Sequence, residues 1–121
     1  MDLNVRRLKV TINLKKFNNA VVVIPEQERI DASNAPQFKS ELVDLIFEGY
    51  TNIALDFNYV DFMDSSGLSA LLSCVKTLGG KGKFVLFSMN DKVRNLFRIT
   101  KLDQRVFHIF DSQEQALKEF Q

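Results

Sequence analysis

Between Leu8 and Leu14 the apolar residues Leu8, Val10, Ile12 and Leu14 alternate with polar neighbours, the period-2 pattern of a half-buried strand. Asn18 and Asn19 suit a turn. Residues 20–24 are continuously apolar and rich in valine and isoleucine, as a central strand covered on both faces requires, and Pro25 is expected to end that strand. The two segments predict a hairpin. The period then changes. Phe38, Leu42, Leu45 and Ile46 share one helical face, with Asn34 as the expected cap, Pro36 in the first turn and Gly49 at the end. A short strand is expected over residues 53–55, and residues 56–63 lead into a helix carrying Leu68, Leu71, Leu72, Val75 and Leu78, stopped by Gly79 and Gly80. Residues 84–87 read as a further apolar strand. A helix from about residue 90 turns Val93, Leu96 and Phe97 inward, residues 106–110 repeat the strand pattern, and Ser112 with Gln115 forms a capping box for a last helix using Ala116, Leu117 and Phe120.

After the hairpin, strands and helices alternate, and right-handed crossovers turn that order into an α/β fold. Its sheet is mixed but mostly parallel, of about five strands with flanking helices. In such sheets the working loops lie at the carboxyl ends of the strands, here residues 25–34, 58–66 and 88–91.

At 121 residues the chain is expected to be one domain spanning residues 1–121, and 45% apolar with 26% charged residues is globular composition. A formal charge of +1 without a basic stripe argues against direct nucleic-acid binding, and Arg6, Arg7 and Lys9 read as a solvated strand edge. No apolar run reaches the length of a membrane span, and the start Met1, Asp2, Leu3, Asn4 lacks the regions of a signal peptide, so a cytoplasmic protein without a membrane partner is expected. The lone Cys74, on an apolar helical face, reads as a buried thiol.

Candidate chemistry concentrates at Phe62, Met63, Asp64, Ser65, Ser66, Gly67 and Leu68, where a strand-like run meets a helix start on the expected working rim. Free N–H groups and a partial positive charge at a helix start would favour a phosphoryl group on a first-turn serine; Asp and Ser are equally suited to act as plain caps. The glycine-rich Gly79 to Lys83 segment follows a helix and precedes a strand, the reverse of a phosphate-binding loop. Gly67 lies where a nucleophile elbow at Ser65 needs it, but Met63 occupies the other glycine position. His108 sits in an apolar strand run, which favours a core or strand-face role. Asp31, Asp56, Asp61 and Asp64 admit a magnesium site or a phospho-aspartate receiver; against it, Pro25 and Glu26 stand where receivers carry an acidic pair. No metal cluster and no cofactor or nucleotide motif is legible.

Three segments together resemble the STAS-domain anti-sigma factor antagonist family: Leu55, Asp56, Phe57 with Val60 and Phe62 to Leu68; Gly79, Gly80, Lys81 with the strand to Phe87; and Val93, Leu96, Phe97, Thr100, Leu102, Phe107 through Ser112, Glu114, Gln115, Ala116. The resemblance implies a non-enzymatic STAS domain whose phosphoacceptor is Ser65, modified by a partner that is both anti-sigma factor and serine kinase and reset by a metal-dependent serine phosphatase. Mg-ATP would belong to the kinase, and this chain would need no cofactor. It implies a partner-binding set of Asp31, Met63, Asp64, Ser65, Ser66 and Gly67, with Ser66 in a packing role and Gly67 permitting close approach; Phe62 and Met63 would offer a partner an apolar contact, but as strand-end residues they read equally well as core. The family's Gly, Glu, Leu, Asp run corresponds to Glu28, Arg29, Ile30, Asp31, where Asp31 matches and Glu28 and Arg29 depart. A monomer is expected. The same surface would also serve an accessory subunit of another partner-switching, stressosome or transport complex.

Overall fold

Strands covered on both faces need apolar side chains at every position, and the centre of the sheet meets that need. The structure, a computed structural model, describes residues 11–121. Leu8, Val10 and the Arg6, Arg7, Lys9 cluster lie outside the described residues. The strands are β1 (Ile12–Lys16), β2 (Val21–Pro25), β3 (Arg29–Ile30), β4 (Asn52–Asp56), β5 (Phe62–Met63), β6 (Lys83–Phe87) and β7 (His108–Phe110). The helices are α1 (Ala35–Phe47), α2 (Ser65–Leu78), α3 (Asp91–Ile99), α4 (Leu102–Arg105) and α5 (Gln113–Leu117), the last running into a 3-10 turn, Lys118–Phe120.

The main sheet has the order β1-β2-β4-β6-β7, with β1 antiparallel to β2 and the other pairs parallel. On one face Val21, Val23, Ile53, Leu55, Phe84 and Leu86 share a core with Phe38 and Leu42 of α1, Leu71 and Cys74 of α2, and Val93 and Phe97 of α3. On the other, Val22, Ala54, Val85 and Phe87 are covered by Ala116, with Leu117 and Phe120 packed against them. The expected hairpin, mixed sheet and flanking helices are present. Gly79 ends α2 in the left-handed region at φ 56°, which a glycine adopts without penalty.

Local differences have local causes. Pro25 stays within β2, because pairing with β4 runs only from Val21 to Val23 and no parallel neighbour asks for the proline's missing N–H. The last strand starts at His108, not at residue 106: α4 occupies residues 102–105, and the N–H groups of Val106 and Phe107 both donate to the Leu102 carbonyl, at 3.1 and 2.8 Å. His108 is an exposed strand-face residue with Nδ1 3.6 Å from Glu119 Oε1.

The core beneath the working rim is aromatic. Phe97 meets Phe57 and Phe107 edge to face, with ring centroids 6.5 and 5.6 Å apart, and all three rings are buried. Phe97→Ala is expected to cost about 3–5 kcal/mol, read as a lowered urea midpoint at unchanged slope.

Candidate functional site

The rim is organised by a parallel ribbon that stands apart from the main sheet. Arg29 of β3 lies opposite Phe62 of β5, and Ile30 opposite Met63. The N–H groups of Asp61 and Phe62 donate to the Glu28 carbonyl at 2.7 and 3.0 Å, and Asp64 N–H donates to the Ile30 carbonyl at 3.2 Å. Asp31 and Asp64 therefore leave the ribbon on adjacent strands, directly after Ile30 and Met63. The inner side of the ribbon is apolar: Ile30 is fully buried and Met63 is 5% exposed.

The first turn of α2 rests on that apolar side. A Cβ at Gly67 would lie 2.6 Å from Met63 Cγ and 3.1 Å from Ile30 Cγ2, closer than side-chain packing allows, so the absence of a side chain lets the helix settle onto the ribbon. Asp64 caps the same turn. Its Oδ1 accepts from Ser66 N–H at 2.8 Å and more weakly from Gly67 N–H at 3.4 Å. Ser65, the first residue of α2, is exposed, and its hydroxyl bonds to no described residue. Ser66 is half-buried in a shallow groove between α1 and α2 that Ala35, Pro36, Lys39 and Ser69 also line.

Two expectations are corrected here. Met63, placed in the partner-binding set, is turned inward against Gly67 and Ile30 and offers a partner almost no surface. The helix-start donors available to a phosphoryl group are fewer than the bare sequence implies, because the Asp64 carboxylate already takes the Ser66 and Gly67 N–H groups. Asn34 is likewise the N-cap residue of α1 without a capping bond from its side chain. Its Oδ1 accepts from Asp31 N–H at 3.0 Å and its Nδ2 donates to the Arg29 carbonyl at 2.7 Å, tying the loop to the ribbon.

The four aspartates do not converge. Asp31 Oδ1 accepts from the Ser33 hydroxyl at 2.6 Å and Ser33 N–H at 3.0 Å, while its Oδ2 lies 3.4 Å from Arg29 Nε. The Ser33 bonds, assisted by Arg29, hold the Asp31 carboxyl below its ordinary range. Asp56 is pushed upward by burial, against which Asn58 N–H donates at 2.8 Å. Asp61 pairs with Lys92 Nζ at 3.2 Å, and Asn90 Nδ2 donates to the Asp61 carbonyl at 3.0 Å. Among the described residues no three His, Cys, Asp or Glu side chains are grouped to hold a metal ion. Burial pushes the Cys74 thiol up to about 12, which leaves it protonated and unreactive at neutral pH.

Asn90 and Lys92 join the rim without having been read as site residues. The Arg29 guanidinium lies over the Phe62 ring, 4.3 Å from its centroid. Only the ribbon register brings these two side chains together, and sequence spacing carries no sign of it.

A small α/β domain with a mixed five-stranded sheet, and a helix-start serine exposed beside a capping aspartate, is the class this geometry defines. The STAS domain model matches residues 11–116, and the chain belongs to that family. It is 32% identical over 109 residues to a Thermotoga neapolitana protein whose name assigns it provisionally to the anti-sigma factor antagonists, covering 88% of this chain and 95% of that one. It is 32% identical over 97 residues to the anti-sigma-B factor antagonist of Listeria monocytogenes, covering 78% and 84% of the two chains. A Thermotoga maritima crystal structure of the same provisional designation superposes with a TM-score of 0.79 at 29% identity, covering 90% of this chain and 93% of that one. No helix among the described residues is long and apolar enough to cross a membrane.

Two measurements test the site's construction. Gly67→Ala should destabilise the fold by about 1–3 kcal/mol in chemical denaturation, because Met63 and Ile30 must shift together to admit the methyl group. In a carboxyl NMR titration Asp31 should titrate below, and Asp56 above, the ordinary value of 3.8. The Asp31 contribution to stability is therefore present above the unfolded-state value and lost as pH falls through the folded one. That of Asp56 has the opposite sign, being present below its unfolded value and lost as pH rises through the folded one. Ser33→Ala should move Asp31 back toward 3.8 and leave Asp56 unchanged.

Proposed function

We propose that this chain is an anti-sigma factor antagonist acting as one STAS domain, with Ser65 as its switch. In its unphosphorylated form it binds an anti-sigma factor that is also a serine kinase, and so frees the sigma factor that the kinase otherwise holds. Transfer of a phosphoryl group to Ser65 Oγ turns binding off, and a metal-dependent serine phosphatase restores the hydroxyl. The chain itself catalyses nothing in this cycle and contacts no DNA.

The observation that carries this reading is the exposed hydroxyl of Ser65, presented on the first turn of a helix whose start is fixed by Asp64 and Gly67. Relatives named anti-sigma factor antagonists support the partner class. Phosphorylation adds about −1.5 to −2 charges at neutral pH. That charge would stand beside the Asp64 carboxylate, whose oxygen already holds the nearest helix-start donors, and on the rim that carries Asp31. A closed interface there would have to desolvate the phosphate and bear repulsion between like charges. A coupling of about 1–3 kcal/mol corresponds to roughly fivefold to 150-fold weaker binding, enough to reverse a competition between near-stoichiometric partners. No change of fold is required.

Incubation with the cognate kinase and ATP should place a single acid-stable phosphate on the chain, absent in Ser65→Ala, and Ser65→Asp should bind the kinase roughly fivefold or more weakly by calorimetry. Phosphate on another residue, or an acid-labile acyl phosphate, would refute the assignment.

A further inference from the structure

Arg29 is held in one orientation from three sides. Its carbonyl accepts from Asn34 Nδ2 at 2.7 Å, and Glu28 before it accepts from the Asp61 and Phe62 N–H groups. The central carbon of its guanidinium lies over the Phe62 ring, 4.3 Å from the centroid, and its Nε faces Asp31 Oδ2 at 3.4 Å. These contacts use one N–H and one face of the guanidinium. Neither terminal amino group donates to a described residue, and the side chain remains 62% exposed. An arginine is usually a mobile surface group that loses rotamer freedom on binding; here the stacking and the ion pair have already restricted it. What projects outward is a planar, permanently charged pair of donors whose spacing matches a carboxylate.

The surroundings make that fork distinctive. The same rim carries the acidic residues Glu28, Asp31, Asp61 and Asp64, relieved by Lys92 and Arg29. A partner complementary to most of this rim is basic, and opposite Arg29 it must present an acid.

We infer that Arg29 is a docking point that selects the partner, its two terminal amino groups receiving one Asp or Glu side chain set within an otherwise basic surface of the partner. The inference rests on the reading of this rim as the kinase-binding face and adds to it the chemistry of one contact. A fixed charge at this position sets register and discriminates between partners that differ only there, since a like charge opposite it is strongly disfavoured.

The test uses the full chain and the purified kinase that phosphorylates Ser65. Arg29→Glu and Arg29→Gln should both weaken binding by about tenfold or more, Arg29→Glu the more strongly, with thermal midpoints showing that each variant is folded. Arg29→Lys, which keeps the charge but not the fork, should recover only part of the loss. Among single Asp or Glu to Lys variants of the kinase, one should bind Arg29→Glu better than it binds the unaltered chain. Unchanged affinity in Arg29→Glu, full recovery by Arg29→Lys, or failure of every kinase variant to reverse the preference would each overturn the inference while leaving the Ser65 switch standing. An effect of Arg29→Glu confined to the phosphorylated chain would also overturn it, by assigning Arg29 to the phosphate. If no kinase binds the unaltered chain at all, the functional reading and this one fall together.

Discussion

The working rim depends on the close approach of the first turn of α2 to the β3–β5 ribbon. At Gly67 the helix backbone comes within contact distance of Met63 and Ile30, and no side chain intervenes. That contact is apolar and faces the core. In the same turn, Asp64 accepts from the Ser66 and Gly67 N–H groups. Packing and capping together leave the turn little freedom, and Ser65 is the residue of it whose side chain is left outside. Its exposure follows from how its neighbours are used: Met63 and Gly67 are committed inward, Asp64 is committed to the backbone, and Ser66 is half-covered by α1.

The electrostatics of the rim follow from similar local commitments. Asp31 is held by Ser33 and Arg29, Asp61 by Lys92 and Asn90, and Asp64 by the helix it caps. These are surface arrangements, and each contributes little to stability. Their effect is to fix where charge sits. A rim whose carboxylates are already oriented has little means of rearranging around a new phosphate, which is why an added charge there is expected to act on a partner and not on the fold.

The elements with a clear period were legible from the sequence: the apolar run that becomes β2, the helical faces of α1, α2 and α3, and the Ser112 capping box. The pieces that were not legible are short. β3 and β5 have two residues each and α4 has four, too few for any periodicity to show, and they exist because of partners distant in the chain. The ribbon register decides two further facts. The inward side of Met63 is defined only by the pairing with Ile30, and the contact of Arg29 with Phe62 needs that same register. Asn34 illustrates a different limit. Its residue type marked the helix start correctly, but two side-chain bonds to Arg29 and Asp31 outcompeted capping.

The two faces of the main sheet are covered very unequally. One is packed by α1, α2 and α3, the other by α5 and the turn that follows it. Val22, Ala54, Val85 and Phe87 come from three strands, and among the described residues the helical cover over them is one short segment, residues 113–120. A chain cut short before residue 113 would therefore keep the helical layer on one face and bare a greasy strip of valine, alanine and phenylalanine on the other, the kind of surface by which proteins stick to one another.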